Sequence, residues 1–101
     1  MLRKGRAAIA IPPGATIKEQ IEDRGMTQKG FAVRMGLSEK HVSELIDGRV
    51  HLSPDVAGRL ETVLGISSRF WLNLEAIYRA KLREIEAGAS ELTVSQAEPS
   101  V

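Results

Sequence analysis

The sequence predicts an all-α fold of five helices. Apolar residues between Gly14 and Ala87 recur at three- and four-residue spacings, with almost no strand-type alternation. The apolar segments open on Ser, Thr or Pro and close on Gly, and 101 residues allow one domain with a single modest core. Hydrophobic residues are 43% and charged residues 27% of the chain, a balance that supports a packed core and excludes wholesale disorder.

Each helix has its own start and stop. The first covers about residues 13–24: Pro13 suits a first turn that needs no N–H, Ile17 and Ile21 share a face, and Gly25 ends it. The second, about 27–35, starts from Thr27, carries Phe31, Ala32 and Met35 at helical spacing, and stops at Gly36. Ser38 caps the third, about 38–47, whose apolar face is Val42, Leu45 and Ile46 and whose end is Asp47-Gly48. Ser53-Pro54-Asp55 opens the fourth, about 54–64, where Val56, Leu60, Val63 and Leu64 form a stripe closed by Gly65. Ser67 caps the fifth and longest, about 68–87, running through Phe70, Trp71, Leu74, Ile77, Tyr78, Leu82 and Ile85 to Gly88. Trp71 is expected to pack against the first and fourth helices.

Residues 1–11 are expected to be a basic arm ending in an extended Ile9-Ala10-Ile11, residues 12–87 the folded domain, and residues 88–101, rich in Ser, Thr, Ala and Glu, a flexible tail. Net charge is only +1, but its distribution is uneven. Arg3, Lys4 and Arg6 face no acid in the arm, residues 14–87 carry eleven charges of each sign, and Glu91 and Glu98 make the end acidic. The apolar stretch before Pro12-Pro13 is too short for a signal sequence or a membrane span, so the reading is a soluble, cytoplasmic chain that is not processed. The absence of cysteine excludes disulfides, and His41 and His51 lack further ligands at metal spacing, so no cofactor or metal is expected. With no H-E-x-x-H, no Gly-rich phosphate loop and no nucleophile with a spaced base, an enzyme is not expected.

The functional signal lies between Thr27 and Gly48. Two short helices are joined through Gly36-Leu37, with the small Ala32 where the second helix must pass close and Leu37 and Val42 filling the angle between them. On spacing alone this is either a DNA-binding helix-turn-helix or a plain αα-hairpin.

Thr27-Gln28-Lys29-Gly30-Phe31-Ala32-Val33-Arg34-Met35-Gly36-Leu37-Ser38-Glu39-Lys40-His41-Val42-Ser43-Glu44-Leu45-Ile46-Asp47-Gly48-Arg49 resembles the phage-repressor and Cro-like (XRE) helix-turn-helix. Pro12-Pro13-Gly14, Ser43-Glu44-Leu45-Ile46-Asp47-Gly48 and Phe70-Trp71-Leu72-Asn73-Leu74-Glu75-Ala76 with Tyr78 resemble the HigA antitoxins. The resemblance implies a lambda-repressor-like five-helix domain with a longer C-terminal helix. It further implies a homodimer on a palindromic double-stranded operator, autorepression, and neutralisation of a HigB-type ribonuclease toxin. Carried over, the base-reading surface falls on Glu39, Lys40, Ser43 and Glu44 with His41 beside them, and the phosphate-holding positions on Thr27, Gln28, Lys29, Ser38 and Arg49.

The chemistry suits each role. Lys40 can donate to guanine acceptors, a glutamate can accept from cytosine N4, and Gln28 and Arg49 can donate to phosphate. Glu39, Glu44 and Asp47 oppose Lys40, however, so the third helix itself is poorly set for bulk phosphate attraction. In the fifth helix Ile77, Leu82 and Ile85 stand among charged residues, a stripe for a second chain, with dimerisation ahead of toxin contact. Two other readings remain open: a solitary XRE transcription factor, and a protein-interaction module that has lost DNA binding.

Overall fold

Five helices and no strands make up the computed structural model, which describes residues 9–97, with side chains through Gly88. The helices are α1 (Pro13–Asp23), α2 (Gln28–Met35), α3 (Glu39–Asp47), α4 (Pro54–Leu64) and α5 (Ser68–Ala97). Four begin on a hydroxyl. Thr27, Ser38, Ser53 and Ser67 accept from the backbone N–H of Gly30, His41, Val56 and Phe70 at 2.9, 3.0, 3.2 and 3.2 Å, each satisfying a donor that the helix leaves orphaned. α1 instead relies on Pro12 in extended conformation and Pro13 in the first turn. Gly36 and Gly48 end α2 and α3 at φ of 70° and 76°, a conformation that costs a residue with a Cβ about 1 kcal/mol or more.

Burial follows the predicted stripes. Ile17 and Ile21 from α1, Phe31, Ala32 and Met35 from α2, Val42 and Leu45 from α3, Val56, Ala57, Leu60 and Leu64 from α4, and Trp71 from α5 form one core. Trp71 is its largest fully buried side chain, and its indole N–H donates to the Ile66 carbonyl at 3.2 Å, so the one polar atom it brings inside is satisfied. α5 packs along α4 and touches α1, while α1 lies across α3.

Two expectations are corrected. Phe70 is not part of the buried stripe: it is exposed and meets Trp71 edge-on at 5.3 Å, because one residue along a helix is a 100° turn. The fifth helix does not stop at Gly88 but runs to Ala97. Gly88 lacks the positive φ of a terminating glycine, and it is followed by Ala89, Ser90, Glu91 and Leu92 with no proline, so a single interior glycine costs only about 1 kcal/mol against alanine. Ile9-Ala10-Ile11 is without helix as expected, and Ile9 and Ile11, though largely exposed, lie beside Leu74, Ile77 and Tyr78 of α5. The basic residues Arg3, Lys4 and Arg6 and the last four residues lie outside the described part. No helix among the described residues is long and apolar enough to cross a membrane.

Candidate nucleic-acid interface

The relative placement of α2 and α3 is fixed from three sides. Beneath them Ala32 and Val42 are buried, with Leu37 half-buried at the corner. On the α1 side Gly14 lies so near α3 that a Cβ would overlap the carbonyl oxygens of Leu45 and Ile46 and the Ile46 Cα. From α4, Arg59 reaches the turn itself: its guanidinium donates to the Met35 carbonyl at 2.8 Å and to the Gly36 carbonyl at 3.4 Å, while Asp55 one turn earlier accepts from its Nε at 3.0 Å. A cation on the last carbonyls of α2 meets the negative end of that helix and satisfies acceptors that have no intrahelical partner.

The outer surface of this pair holds most of the candidate residues. Glu39 and Lys40 are exposed on the first turn of α3, and Ser43 and Glu44 follow one turn later, half-buried. Lys40, Ser43, Glu44 and Asp47 recur at three- and four-residue spacing, so they share the face opposite Val42 and Leu45. Thr27 and Ser38 are exposed at the two N-termini, where each hydroxyl accepts its capping bond and keeps its own proton for an outside acceptor. Gln28 is half-buried and Lys29 exposed beside Thr27. Arg49 is exposed just after α3, its Nε 3.9 Å from the Asp47 carboxylate, a loose surface pair that leaves the guanidinium available.

His41 does not join that face. It is half-buried on the flank of α3, and its Nε2 is shut off from solvent without a hydrogen-bond partner, so that nitrogen is not presented to a base edge. The proposed interface stripe of α5 is also divided. Ile77 is 65% exposed and faces a groove of about 340 Å³ that it forms with Ile9, Ile11, Pro12, Leu74 and Tyr78, whereas Leu82 and Ile85 are half-buried farther along.

Sequence reasoning missed three positioning features: Gly14, Arg59, and a polar cluster beneath the α3–α4 loop. In the cluster Glu75 of α5, only 9% exposed, accepts from the Arg79 guanidinium at 2.7 Å and lies 3.2 Å from Nδ1 of His51. Arg79 also donates to the Val50 carbonyl at 3.3 Å and covers the Tyr78 ring at 4.8 Å. The one trace in the sequence was Glu75 standing four residues after Trp71, a carboxylate on the buried side of an amphipathic helix.

Comparison with known proteins agrees with this geometry. A family model described as helix-turn-helix matches residues 17–71. An HTH-type transcriptional regulator of Escherichia coli, YddM, is 33% identical over 63 residues, which are 62% of this chain and 67% of that protein. The antitoxin HigA-1 of Vibrio cholerae is 42% identical over 57 residues, which are 56% of this chain and 53% of HigA-1, so the matched stretch spans about half of that relative. Among solved structures, the antitoxin HigA of Pseudomonas aeruginosa, determined with the higBA promoter, shares the fold with a TM-score of 0.68 at 23% identity, over 92% of this chain and 96% of that one. The family match covers more than half of the sequence and includes α2, the turn and α3 entire: the chain belongs to the helix-turn-helix family, with HigA antitoxins among its relatives.

Proposed function

We propose that this chain is a sequence-specific DNA-binding repressor of the antitoxin type, acting as a homodimer on a palindromic operator and neutralising a ribonuclease toxin of HigB type. The observation that carries the reading is the outer side of α3, where Lys40, Ser43 and Glu44 share one face and Glu39 is exposed on the first turn, flanked by the capped N-termini of α2 and α3. A helix so presented enters the major groove, and the N-terminal amides and hydroxyls beside it meet the phosphates. Glu39 and Glu44 suit cytosine N4 and Lys40 suits guanine, so specificity rests on a few placed groups rather than on bulk charge. The HigA relative and the promoter-bound HigA neighbour support the assignment.

Dimerisation is assigned to α5. Its 30 residues make a rod of about 45 Å, longer than the core it covers, and Ile77, Leu82 and Ile85 lie along it. Two such chains place their α3 helices about 34 Å apart, one turn of DNA.

The acidic balance of α3 favours one other reading, a protein-interaction module that keeps the fold and has lost DNA binding. A mobility shift on the duplex upstream of the chain's own gene separates the two. Retardation at low salt that weakens steeply as salt rises is expected, and no retardation at low salt overturns the repressor reading. A short basic ribonuclease-like reading frame beside the gene is expected for an antitoxin and not for a solitary transcription factor.

A further inference from the structure

Five large apolar side chains stand exposed among the described residues, and three of them, Ile9, Ile11 and Ile77, meet at one place. Each is more than half exposed, and together with Pro12, Leu74 and Tyr78 they line the groove of about 340 Å³ between the segment before α1 and the middle of α5. Single apolar residues on a surface are ordinary, whereas apolar residues gathered into a concave patch mark a contact with another molecule. Ile11 owes its place to Pro12, since a residue before proline is held extended, and Pro12 is itself extended before Pro13. The segment therefore cannot join α1 as a further helical turn. The charged side chain on the groove is Lys81, whose Nζ lies 3.4 Å from the Glu84 carboxylate, so its charge has a counter-charge when a second apolar surface approaches.

The place of the groove in the fold identifies what fills it. Gly48, at the end of α3, backs onto the same walls: a Cβ there would stand 2.9 Å from Pro12 Cβ and 2.9 Å from the Tyr78 hydroxyl oxygen. The groove is thus one layer away from the end of the candidate recognition helix. From the middle of α3 to that end is about 7 Å, and a packed layer is roughly 8–10 Å thick, so the open side of the groove lies within about 17 Å of the middle of α3. A two-fold axis there leaves the centres of two α3 helices no more than about 34 Å apart, the separation of successive major-groove faces. A seam centred farther along α5 loses this match, because Ile85 stands about 10 Å and Ala97 about 28 Å beyond Tyr78. A two-fold axis also suits a groove with isoleucines on both walls, since each protomer supplies apolar surface to cover the other's.

We propose that this groove is the seat of a second copy of the chain, with Ile9, Ile11 and Ile77 at the centre of the dimer seam and Leu82 and Ile85 on its flank. The proposal rests on the homodimer reading above and adds the segment before α1 to it. The same contact steadies α3, because Pro12 and Tyr78 then have the second copy on one side and Gly48 on the other.

The test is sedimentation of the full chain at concentrations that bracket the dissociation of the wild-type dimer. Ile11→Glu and Ile77→Glu each put a carboxylate into the seam twice, once per protomer, and each is expected to weaken dimerisation at least about a hundredfold. Both side chains are mostly exposed in the single chain, so the helical circular dichroism of each diluted variant should match that of the diluted wild type. Ile11→Leu keeps the apolar volume and should dimerise within about tenfold of the wild type. Val33→Glu is the control: Val33 is 74% exposed, the most of the five, but it stands on α2 beside α4 and does not line the groove, so this chain should sediment as the wild type does. An Ile11→Glu or Ile77→Glu chain that dimerises as tightly as the wild type, or a Val33→Glu chain that fails to dimerise, overturns the proposal and leaves the homodimer reading standing. A wild-type chain that stays monomeric at every concentration overturns the homodimer reading itself, and this proposal with it.

Discussion

Gly14→Ala puts one methyl group where the backbones of α1 and α3 come closest, and its effect can be worked out from the contact. The added Cβ overlaps two carbonyl oxygens and a Cα of α3, and none of these atoms can rotate away as a flexible side chain could. Relief requires α1 and α3 to part by about an ångström, which opens the core around Ile17, Val42 and Leu45. Overpacking of this kind costs about 1–3 kcal/mol, and rigid backbone neighbours place the cost near the top of that range. Alanine returns at most about 1 kcal/mol through better helix propensity. The net expectation is a loss of about 2 kcal/mol, or about 8–16 °C in melting temperature for a domain of this size, read by circular dichroism and checked by denaturant midpoint. Gly58→Ala is the control, because Gly58 lies within α4 and a Cβ there meets nothing within 4 Å. It should stabilise by up to about 1 kcal/mol. A Gly14→Ala chain that melts at or above the wild type refutes the claimed contact between α1 and α3.

Three further outcomes are expected. Arg59→Met keeps the aliphatic stem but removes the bonds to the Met35 and Gly36 carbonyls, and should destabilise by about 1–2 kcal/mol in the same melts, with unchanged stability as the adverse result. Lys40→Ala should weaken binding to the cognate duplex by about 1–3 kcal/mol and barely affect random DNA, while Arg49→Ala should weaken both alike and reduce the salt slope by about one; equal effects of both substitutions on both duplexes would count against these roles. Leu82→Glu should shift sedimentation from dimer to monomer, and a chain that still sediments as a dimer removes Leu82 from the interface.

What was legible in the sequence is what is decided locally. Thr27, Ser38, Ser53 and Ser67 were readable as helix starts because each acts on an N–H three residues away, and Gly36, Gly48 and Gly65 as stops because each adopts a positive φ on its own account. Gly88 was misread by the same logic, since a glycine alone does not end a helix when the residues after it continue the pattern. The candidate positions on α3 came from the resemblance to the XRE helix-turn-helix; helical spacing puts Lys40, Ser43 and Glu44 on one side, whereas the burial of His41 Nε2 depends on what packs against the flank of that helix. Arg59 and the turn are 23 residues apart, and Glu75 and His51 are separated by the whole of α4. Such pairings exist only once the helices are docked: the spacing of Glu75 from Trp71 marks a carboxylate on the buried side, but local pattern does not say what it meets.

The hydroxyl caps also bear on how the chain reaches this structure. Each of α2 to α5 carries its starting signal within its own first turn, and the α2–α3 corner is closed by residues only a few positions apart. Folds built from contacts so close in sequence have low contact order, because little loop-closure entropy is spent before the first stabilising contacts form. The expected folding time is accordingly microseconds to milliseconds. For the homodimer proposed above, the slow step would then be the meeting of two finished chains, whose rate scales with concentration, so its supply would follow how much protein is made and not how fast each copy folds.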